Sequence, residues 1–168
     1  MGRYFRFRTI FTYFRSIICH SQKHRCYMTI SDHGIYLIKK WEQFRSLPYQ
    51  DSVGVFTIAY GHTRNVTANT PEITIQQAEA WLKSDVSTAE SFINKTFLNL
   101  RQCQFDSLCS LLFNVGSIAD TKLYTLLLNS PDDKHIAGEW IEFRNAGGEY
   151  LRGLMRRRID EISLYYSW

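Results

Sequence analysis

Two carboxylic acids and a hydroxyl lie close together in the segment WEQFRSLPYQDSVGVFTIAYGHT. Eight residues separate Glu42 from Asp51, and five separate Asp51 from Thr57. Two carboxyl groups on opposite walls of a groove can hydrolyse a glycosidic bond, because one protonates the leaving oxygen while the other activates water. Glu42 is the candidate acid, Asp51 the candidate water activator, and Thr57 a hydroxyl that could position that water. Spacing alone is weak evidence, since most charged residues are simply exposed to solvent.

A helix is predicted immediately before the first acid. Apolar residues recur there at helical spacing, namely Ile35, Ile38 and Trp41. Ser31 precedes them and can cap the helix by accepting a hydrogen bond from a free backbone amide. Pro48 cannot continue a helix. Glu42 should therefore lie at the end of this helix, beside its apolar face.

The sequence favours a strand after Asp51. The run Val-Gly-Val-Phe-Thr-Ile-Ala-Tyr-Gly from Val53 is rich in β-branched and aromatic residues. Alternation along a strand places Thr57 on the same face as Val55 and Ala59. Thr57 is then the polar member of a face of small residues, where it could hold a water molecule.

From Met28 onward the chain resembles the bacteriophage lysozymes, the endolysins or muramidases of the lambdoid and T-even phage type. The resemblance spans about 140 residues, and the matching motifs occur in the order found in that family. The motifs are MTISDHGIYLIKKWE, YQDSVGVFTIAYGHT, FNVG at Phe113–Gly116, NAGG at Asn145–Gly148 and GLMRRRIDE at Gly153–Glu161. Their combination is far more specific than the spacing of the acids.

This resemblance implies an α+β, lysozyme-like fold that is mostly helical. A small antiparallel β-sheet lobe would be joined by a long helix to a helical C-terminal lobe, with the substrate groove between them. The family's catalytic Glu, Asp and Thr fall on Glu42, Asp51 and Thr57 without a gap. The implied reaction is hydrolysis, with inversion, of the β-1,4 bond between N-acetylmuramic acid and N-acetylglucosamine in peptidoglycan.

The remaining helices can be placed approximately. Thr74, with Gln77 three residues later, predicts a capping box at the start of the long helix. Its apolar stripe continues through Ala78 and Leu82 to Ile93. Further helices are predicted over residues 103–115, 121–129, 135–143 and 154–165.

The resemblance also implies substrate-binding residues. Phe113 and Asn114 would reach the sugar groove, although from composition alone they could equally be core and helix-cap residues. Asn145–Gly148 is a turn on composition. By resemblance, Gly147 and Gly148 in this turn would line the groove.

Two further features have a structural interpretation in the family. His62 would form an ion pair with Asp85 on the long helix, which would tie the sheet to that helix. One arginine of the run Arg156, Arg157 and Arg158 would face Glu42 or Asp51, although a basic run is more often a solvated helix face. The sequence does not determine which arginine it is.

The chain departs from the family pattern at two positions. Gln43 follows the candidate acid where the family usually has glycine, and Ala59 replaces the glycine of Thr-Ile-Gly-Tyr-Gly-His. If the glycine replaced by Ala59 has a positive φ, the alanine costs about 1 kcal/mol or more in strain. If that glycine merely makes room, the extra methyl group crowds the groove wall. The alternative to an active enzyme is therefore a catalytically impaired relative that still binds peptidoglycan.

The first 27 residues differ in composition from residues 28–168, which form the predicted lysozyme domain. They contain six Lys and Arg residues and no acid, whereas residues 28–168 hold 14 basic and 16 acidic residues. Three interpretations stay open: translation starting at Met28, a basic aromatic segment at a membrane surface, or a degenerate signal-arrest anchor. Arg15 interrupts an apolar run that is too short to span a bilayer.

The partners follow from this charge distribution and from the resemblance. We expect peptidoglycan as the substrate, a holin-type pore for export from the host cytoplasm to the periplasm, and a monomer. A nucleic-acid partner is disfavoured because the net charge is only +4 and its excess lies in the extension. A cationic protein that perturbs membranes through this extension is a further alternative.

The cysteines indicate neither a metal site nor a disulfide framework. Cys19 and Cys26 lie in the extension, and Cys103 and Cys109 are six residues apart on one predicted helix. That separation is about 9 Å along the helix axis and does not suit a disulfide. We expect no metal and no organic cofactor, since two carboxyl groups suffice for this chemistry.

Overall fold

The computed structural model of the chain describes residues 27–51 and 54–167, so the predicted extension lies outside it except for Tyr27. The helices are α1 (Asp32–Glu42), α2 (Ile75–Thr96), α3 (Gln102–Val115), α4 (Lys122–Asn129), α5 (Ile136–Ile141) and α6 (Arg152–Tyr165). The strands are β1 (Arg45–Gln50), β2 (Phe56–Ala59), β3 (Asn145–Ala146) and β4 (Glu149–Tyr150). None of the helices in this part of the chain is long and apolar enough to cross a membrane.

Helix α1 begins and ends as the sequence predicts. The Ser31 hydroxyl accepts a hydrogen bond from the His33 backbone amide, which caps the first turn. The Ser31 hydroxyl also donates to the buried Asp106 carboxylate on α3. Glu42 is the last helical residue, and Gln43 follows with φ of 57° and ψ of 145°. The cap and the contact with α3 hold the first turn of the helix, and Glu42 lies at its opposite end.

Strands β1 and β2 form an antiparallel hairpin that carries the other two candidate residues. Tyr49 pairs with Thr57, and the Asp51 amide donates to the Val55 carbonyl at 3.0 Å just beyond the paired residues. Paired residues in an antiparallel sheet share a face, and so do residues two apart on one strand. Asp51 and Thr57 therefore lie on the same face of the hairpin.

Helix α2 connects the hairpin to the helical lobe. The predicted capping box is confirmed, because Gln77 N donates to Thr74 Oγ1 and Thr74 N donates to Gln77 Oε1. Its buried stripe consists of Ala78, Leu82, Val86, Ala89 and Ile93. At 22 residues, the helix is about 33 Å long. It can therefore contact both the β2 hairpin and α3.

The helical lobe is built around α3, which packs against α1, α2 and α6. Phe105, Leu108 and Leu111 on α3 are completely buried, as is Trp140 on α5. The predicted helix over residues 135–143 is shorter than expected, since it becomes a 3-10 turn at Glu142–Arg144. The last helix begins at Arg152, two residues before the predicted start, and therefore contains Gly153 in its first turn.

A second, very small hairpin lies before α6. β3 and β4 have two residues each and flank Gly147 and Gly148, whose φ angles are 59° and 84°. Two positive φ values are typical of the tight turns that join hairpin strands. The predicted turn is therefore present, whereas the strands on either side are too short to show an alternating pattern in the sequence.

Candidate active site

Glu42 lies where α1, α6 and the loop after β2 meet. Arg157 Nη1 on α6 donates to Glu42 Oε1 at 2.6 Å. The other oxygen, Oε2, faces Gly61: a β-carbon built on Gly61 would lie 3.6 Å from it. Because Gly61 has no side chain, the loop can come close to the carboxyl without covering Oε2. One oxygen of Glu42 is thus held by an arginine while the other faces the loop after β2.

Two cavities lie close to this carboxyl, and we call them together the groove. One, of about 490 Å³, is lined by Trp41, Glu42, Asn114, Leu151, Arg152 and Arg157, among others. The second, of about 420 Å³, includes Gly61 and Phe113 in its lining. Gly61 in the second lining faces Glu42 Oε2, and Phe113 in that lining is next in sequence to Asn114 in the first, so the two linings come close together beside Glu42. Both volumes lie within the range of about 300–1,000 Å³ that is typical of ligand pockets.

Asp51 and Thr57 are held by hydrogen bonds within the hairpin. Val55 N donates to Asp51 Oδ1 at 2.8 Å, which fixes the orientation of the Asp51 carboxylate. Thr57 is 5% exposed, and its hydroxyl donates to the Val55 carbonyl at 3.2 Å. That bond uses the only hydroxyl proton and leaves the oxygen of Thr57 able to accept a hydrogen bond.

Arg157 belongs to a buried charged cluster that the sequence does not reveal. Glu161 is completely buried and accepts hydrogen bonds from four side chains: Ser110 at 2.8 Å, Trp140 at 3.0 Å, Arg157 at 3.1 Å and Arg158 at 3.0 Å. Burial lowers the pKa of the Arg158 guanidinium, and the Glu161 carboxylate opposes that shift. Both arginines are deeply buried as well. The cluster connects Glu42 to the centre of the helical lobe.

The structure also shows which arginine of the basic run meets Glu42. Arg157 contacts Glu42, whereas Arg158 Nη2 donates to Asn114 Oδ1 at 2.9 Å, and Arg156 is exposed. Consecutive helical residues are about 100° apart around the helix axis, so three adjacent arginines cannot share one environment.

The predicted substrate-binding residues occupy different places. Phe113 lines the smaller cavity and Asn114 the larger one, so the end of α3 borders both parts of the groove. Gly147 and Gly148 lie in the exposed turn between β3 and β4. The cavity wall on that side consists of residues a few positions further on, among them Leu151 and Arg152.

His62 and Asp85 are in direct contact. His62 Nδ1 lies 2.7 Å from Asp85 Oδ2, and its other ring nitrogen lies 3.0 Å from the Arg64 carbonyl oxygen. The imidazole also stacks on Trp81, with ring centroids 4.7 Å apart. The His62 side chain therefore joins the loop after β2 to helix α2.

The comparisons with known proteins show the family of this chain. The phage lysozyme family model matches residues 39–161. The chain belongs to the phage lysozyme family. Members of this family that are endolysins are muramidase glycoside hydrolases, and endolysins act on the peptidoglycan of the cell wall.

Individual relatives agree with the family model. The chain is 38% identical over 147 residues to an endolysin of Acyrthosiphon pisum secondary endosymbiont phage 1, covering 83% of this chain and 99% of the relative. It is 34% identical over 145 residues to the endolysin of Bacillus phage B103, covering 83% of this chain but only 55% of that longer protein. The crystal structure of a mutant P22 lysozyme matches with a TM-score of 0.74 and 31% identity, covering 83% of this chain and 99% of that one. The lysozyme-like fold expected from the sequence is therefore confirmed.

Both departures from the family's glycine pattern lie at positive φ. Gln43 has φ of 57° and Ala59 has φ of 59°. Side chains are strained in this region of backbone space, and the strain is greatest for combinations such as that of Gln43, whose ψ is 145°. Ala59 is 2% exposed, so its buried methyl group offsets part of the cost. Gln43 is exposed and has no such compensation.

Gln43→Gly should raise the free energy of unfolding by about 1 kcal/mol, because glycine adopts this backbone conformation without steric conflict. The expected rise in melting temperature is about 2–4 °C, as measured by thermal unfolding followed by circular dichroism. Asn99→Gly is the matched control: Asn99 has φ of 60°, and asparagine tolerates positive φ well. A gain at Asn99 as large as that at Gln43 would argue against strain at Gln43.

Proposed function

We propose that the chain hydrolyses the β-1,4 bond between N-acetylmuramic acid and N-acetylglucosamine, with Glu42, Asp51 and Thr57 as its catalytic residues. The observation that best supports this is the position of Glu42, whose carboxyl lies in the groove wall with one oxygen held by the buried Arg157. A carboxyl group fixed in this way can meet a glycosidic oxygen in one orientation.

Glu42 acts as the general acid in this proposal. It donates its proton to the glycosidic oxygen while the bond from that oxygen to the anomeric carbon breaks. Arg157 is a positioning residue, since its bond to Oε1 orients the carboxyl and leaves Oε2 facing the loop at Gly61.

In this proposal, Asp51 and Thr57 activate and position the water molecule that attacks the anomeric carbon. Asp51 accepts a proton from the water as its oxygen attacks the anomeric carbon from the opposite face of the sugar. The hydrogen bond from the Val55 amide to Asp51 Oδ1 orients the carboxylate that accepts this proton. Thr57, which donates to the Val55 carbonyl, can accept a hydrogen bond from the same water.

The other residues support this machinery. Phe113 and Asn114 contact the sugar chain on either side of the bond to be cleaved, since they line the two parts of the groove. Gly147 and Gly148 would contact substrate at the rim. The contact between His62 and Asp85 is structural and holds the loop after β2 against α2.

We further propose that this activity lyses the host cell. The enzyme would be a monomer that reaches the periplasm from the cytoplasm through a holin-type pore. The basic composition of residues 1–27 suits association with an anionic membrane surface.

An impaired enzyme that only binds peptidoglycan is the second candidate function. It is favoured by the positive φ at Gln43 and Ala59, because Gln43 directly follows Glu42 and both residues lie in or beside elements that place catalytic groups. Strain at these positions could shift Glu42 or Thr57 from the reacting atoms.

Product analysis tests the proposed function. The full chain is incubated with purified peptidoglycan, and the released fragments are reduced with borohydride and identified by mass spectrometry. We expect fragments that end in reduced N-acetylmuramic acid. Fragments ending in reduced N-acetylglucosamine, or in an anhydro sugar that borohydride does not reduce, would contradict the proposal. Sedimentation of the protein with insoluble peptidoglycan but no release would support the impaired relative instead.

A further inference from the structure

The smaller cavity of the groove carries charge that the catalytic proposal does not use. Its volume is about 420 Å³, and it lies between the loop after β2, helix α2 and the end of α3. Phe92 and Phe113 supply apolar surface, while Thr63, Thr88 and Ser117 supply hydroxyl groups. Aromatic rings and hydroxyl groups suit a neutral sugar. They do not account for the two charged residues in the wall, Arg64 and Asp85.

These two charged residues are not equivalent. Asp85 Oδ2 lies 2.7 Å from His62 Nδ1, so this carboxylate oxygen already has a hydrogen-bond partner within the fold. Arg64 is exposed, and its guanidinium forms no ion pair with any residue in the described part of the chain. The Arg64 guanidinium can therefore form an ion pair with an anionic group of a ligand bound in this cavity.

The backbone of Arg64 is held in place although its side chain is exposed. The Arg64 carbonyl oxygen lies 3.0 Å from His62 Nε2, and the same imidazole contacts Asp85 and stacks on Trp81 of α2. When a ligand binds, a charged side chain on a fixed loop loses less conformational entropy than one on a mobile loop. Guanidinium binds carboxylates preferentially, often with two parallel hydrogen bonds.

We propose that Arg64 is a specificity-determining residue that binds a carboxylate on the peptide branches of peptidoglycan. This inference rests on the proposed function. The N-acetylated sugars of the intact polymer carry no free charge, because the lactyl carboxyl of each N-acetylmuramic acid is joined to its peptide through an amide bond. The anionic groups within reach of a sugar in this cavity therefore belong to the peptides. Arg64 selects glycan strands that carry acidic peptides over neutral glycan.

The test compares purified peptidoglycan with the same material after its free carboxyl groups have been converted to carboxamides. Hydrolysis by the full chain should show a KM roughly fivefold higher on the amidated material, with little change in kcat. Arg64→Gln should have similar KM values on the two materials. Arg64→Lys should retain part of the preference, since it keeps the charge but not the planar fork.

Lys134→Gln is the matched control, because it removes one positive charge from an exposed residue outside the groove linings. It should keep the full preference of the parent. If Arg64→Gln and Lys134→Gln prefer acidic peptidoglycan equally, the Arg64 assignment is overturned while the hydrolase proposal stands. If no variant hydrolyses either material, the proposed function fails. The same comparison, made by sedimentation with insoluble peptidoglycan, then still decides whether Arg64 recognises carboxylates.

Discussion

Glu42→Gln should lower the rate of peptidoglycan hydrolysis by roughly a hundredfold or more. The carboxamide has nearly the same shape and can still accept a hydrogen bond from Arg157, but it cannot donate a proton to the glycosidic oxygen. Binding should survive, because the groove walls are unchanged. The measurement is the initial rate of reducing-end formation from purified peptidoglycan, together with sedimentation of the variant with the insoluble polymer.

The control for this substitution is Glu79→Gln. Glu79 on α2 forms an ion pair with Lys39, and its side chain is 42% exposed, so the change removes the same charge away from the catalytic groups. We expect that variant to keep nearly all of the parent's activity. If Glu42→Gln stays within tenfold of the parent, the proton donor is a different residue. If the parent itself is inactive but binds, the impaired relative is the correct interpretation, and Gln43 and Ala59 are the first positions to restore to glycine.

The local signals in the sequence predicted the elements that position the three candidate residues. Ser31, Thr74 and Gln77 act through hydrogen bonds to nearby backbone groups, so their side chains and spacing alone indicate where α1 and α2 begin. Pro48 indicated the change from helix to strand, because proline lacks the amide proton that a helix requires. Interactions between residues a few positions apart, such as helix caps, can therefore be predicted from the sequence.

The charged cluster around Glu161 could not be predicted in this way. Arg157, Arg158 and Glu161 are consecutive or nearly consecutive charged residues on a helix, a pattern that usually indicates a solvated face. Their burial depends on partners far away in sequence, such as Ser110 on α3 and Trp140 on α5. Only the packing of three helices shows that this face points inward.

The same reasoning applies to the sites around the groove. The resemblance to phage lysozymes placed Phe113 and Asn114 near the substrate, but their separation into two cavities depends on the end of α3. The exposed Arg64 is not part of any motif identified in the sequence. It became a candidate because the loop after β2 brings it to the same cavity wall as Asp85.

Glu161→Gln should lower the free energy of unfolding by about 3–5 kcal/mol, the second of the two largest effects that we expect. The substitution keeps the size of the side chain but removes the only carboxylate that contacts both Arg157 and Arg158 among the described residues. The two guanidinium groups would then be buried with less compensation, and Arg158 would have no carboxylate ion-pair partner among residues 27–51 and 54–167. A fall in melting temperature of roughly 6–20 °C follows, which differential scanning calorimetry would measure.

Asp160→Asn provides a control on the neighbouring residue of the same helix. Asp160 pairs with Lys40 at 2.7 Å, but the two side chains are 32% and 48% exposed, so solvent weakens the interaction. Its loss should change stability by less than about 1 kcal/mol, although each variant removes one negative charge from α6. The difference in melting temperature between the two variants separates the effect of burial from the effect of losing a charge. Similar melting temperatures for the two would show that Glu161 does not stabilise the buried arginines, and Arg157 would then need another explanation for its position beside Glu42.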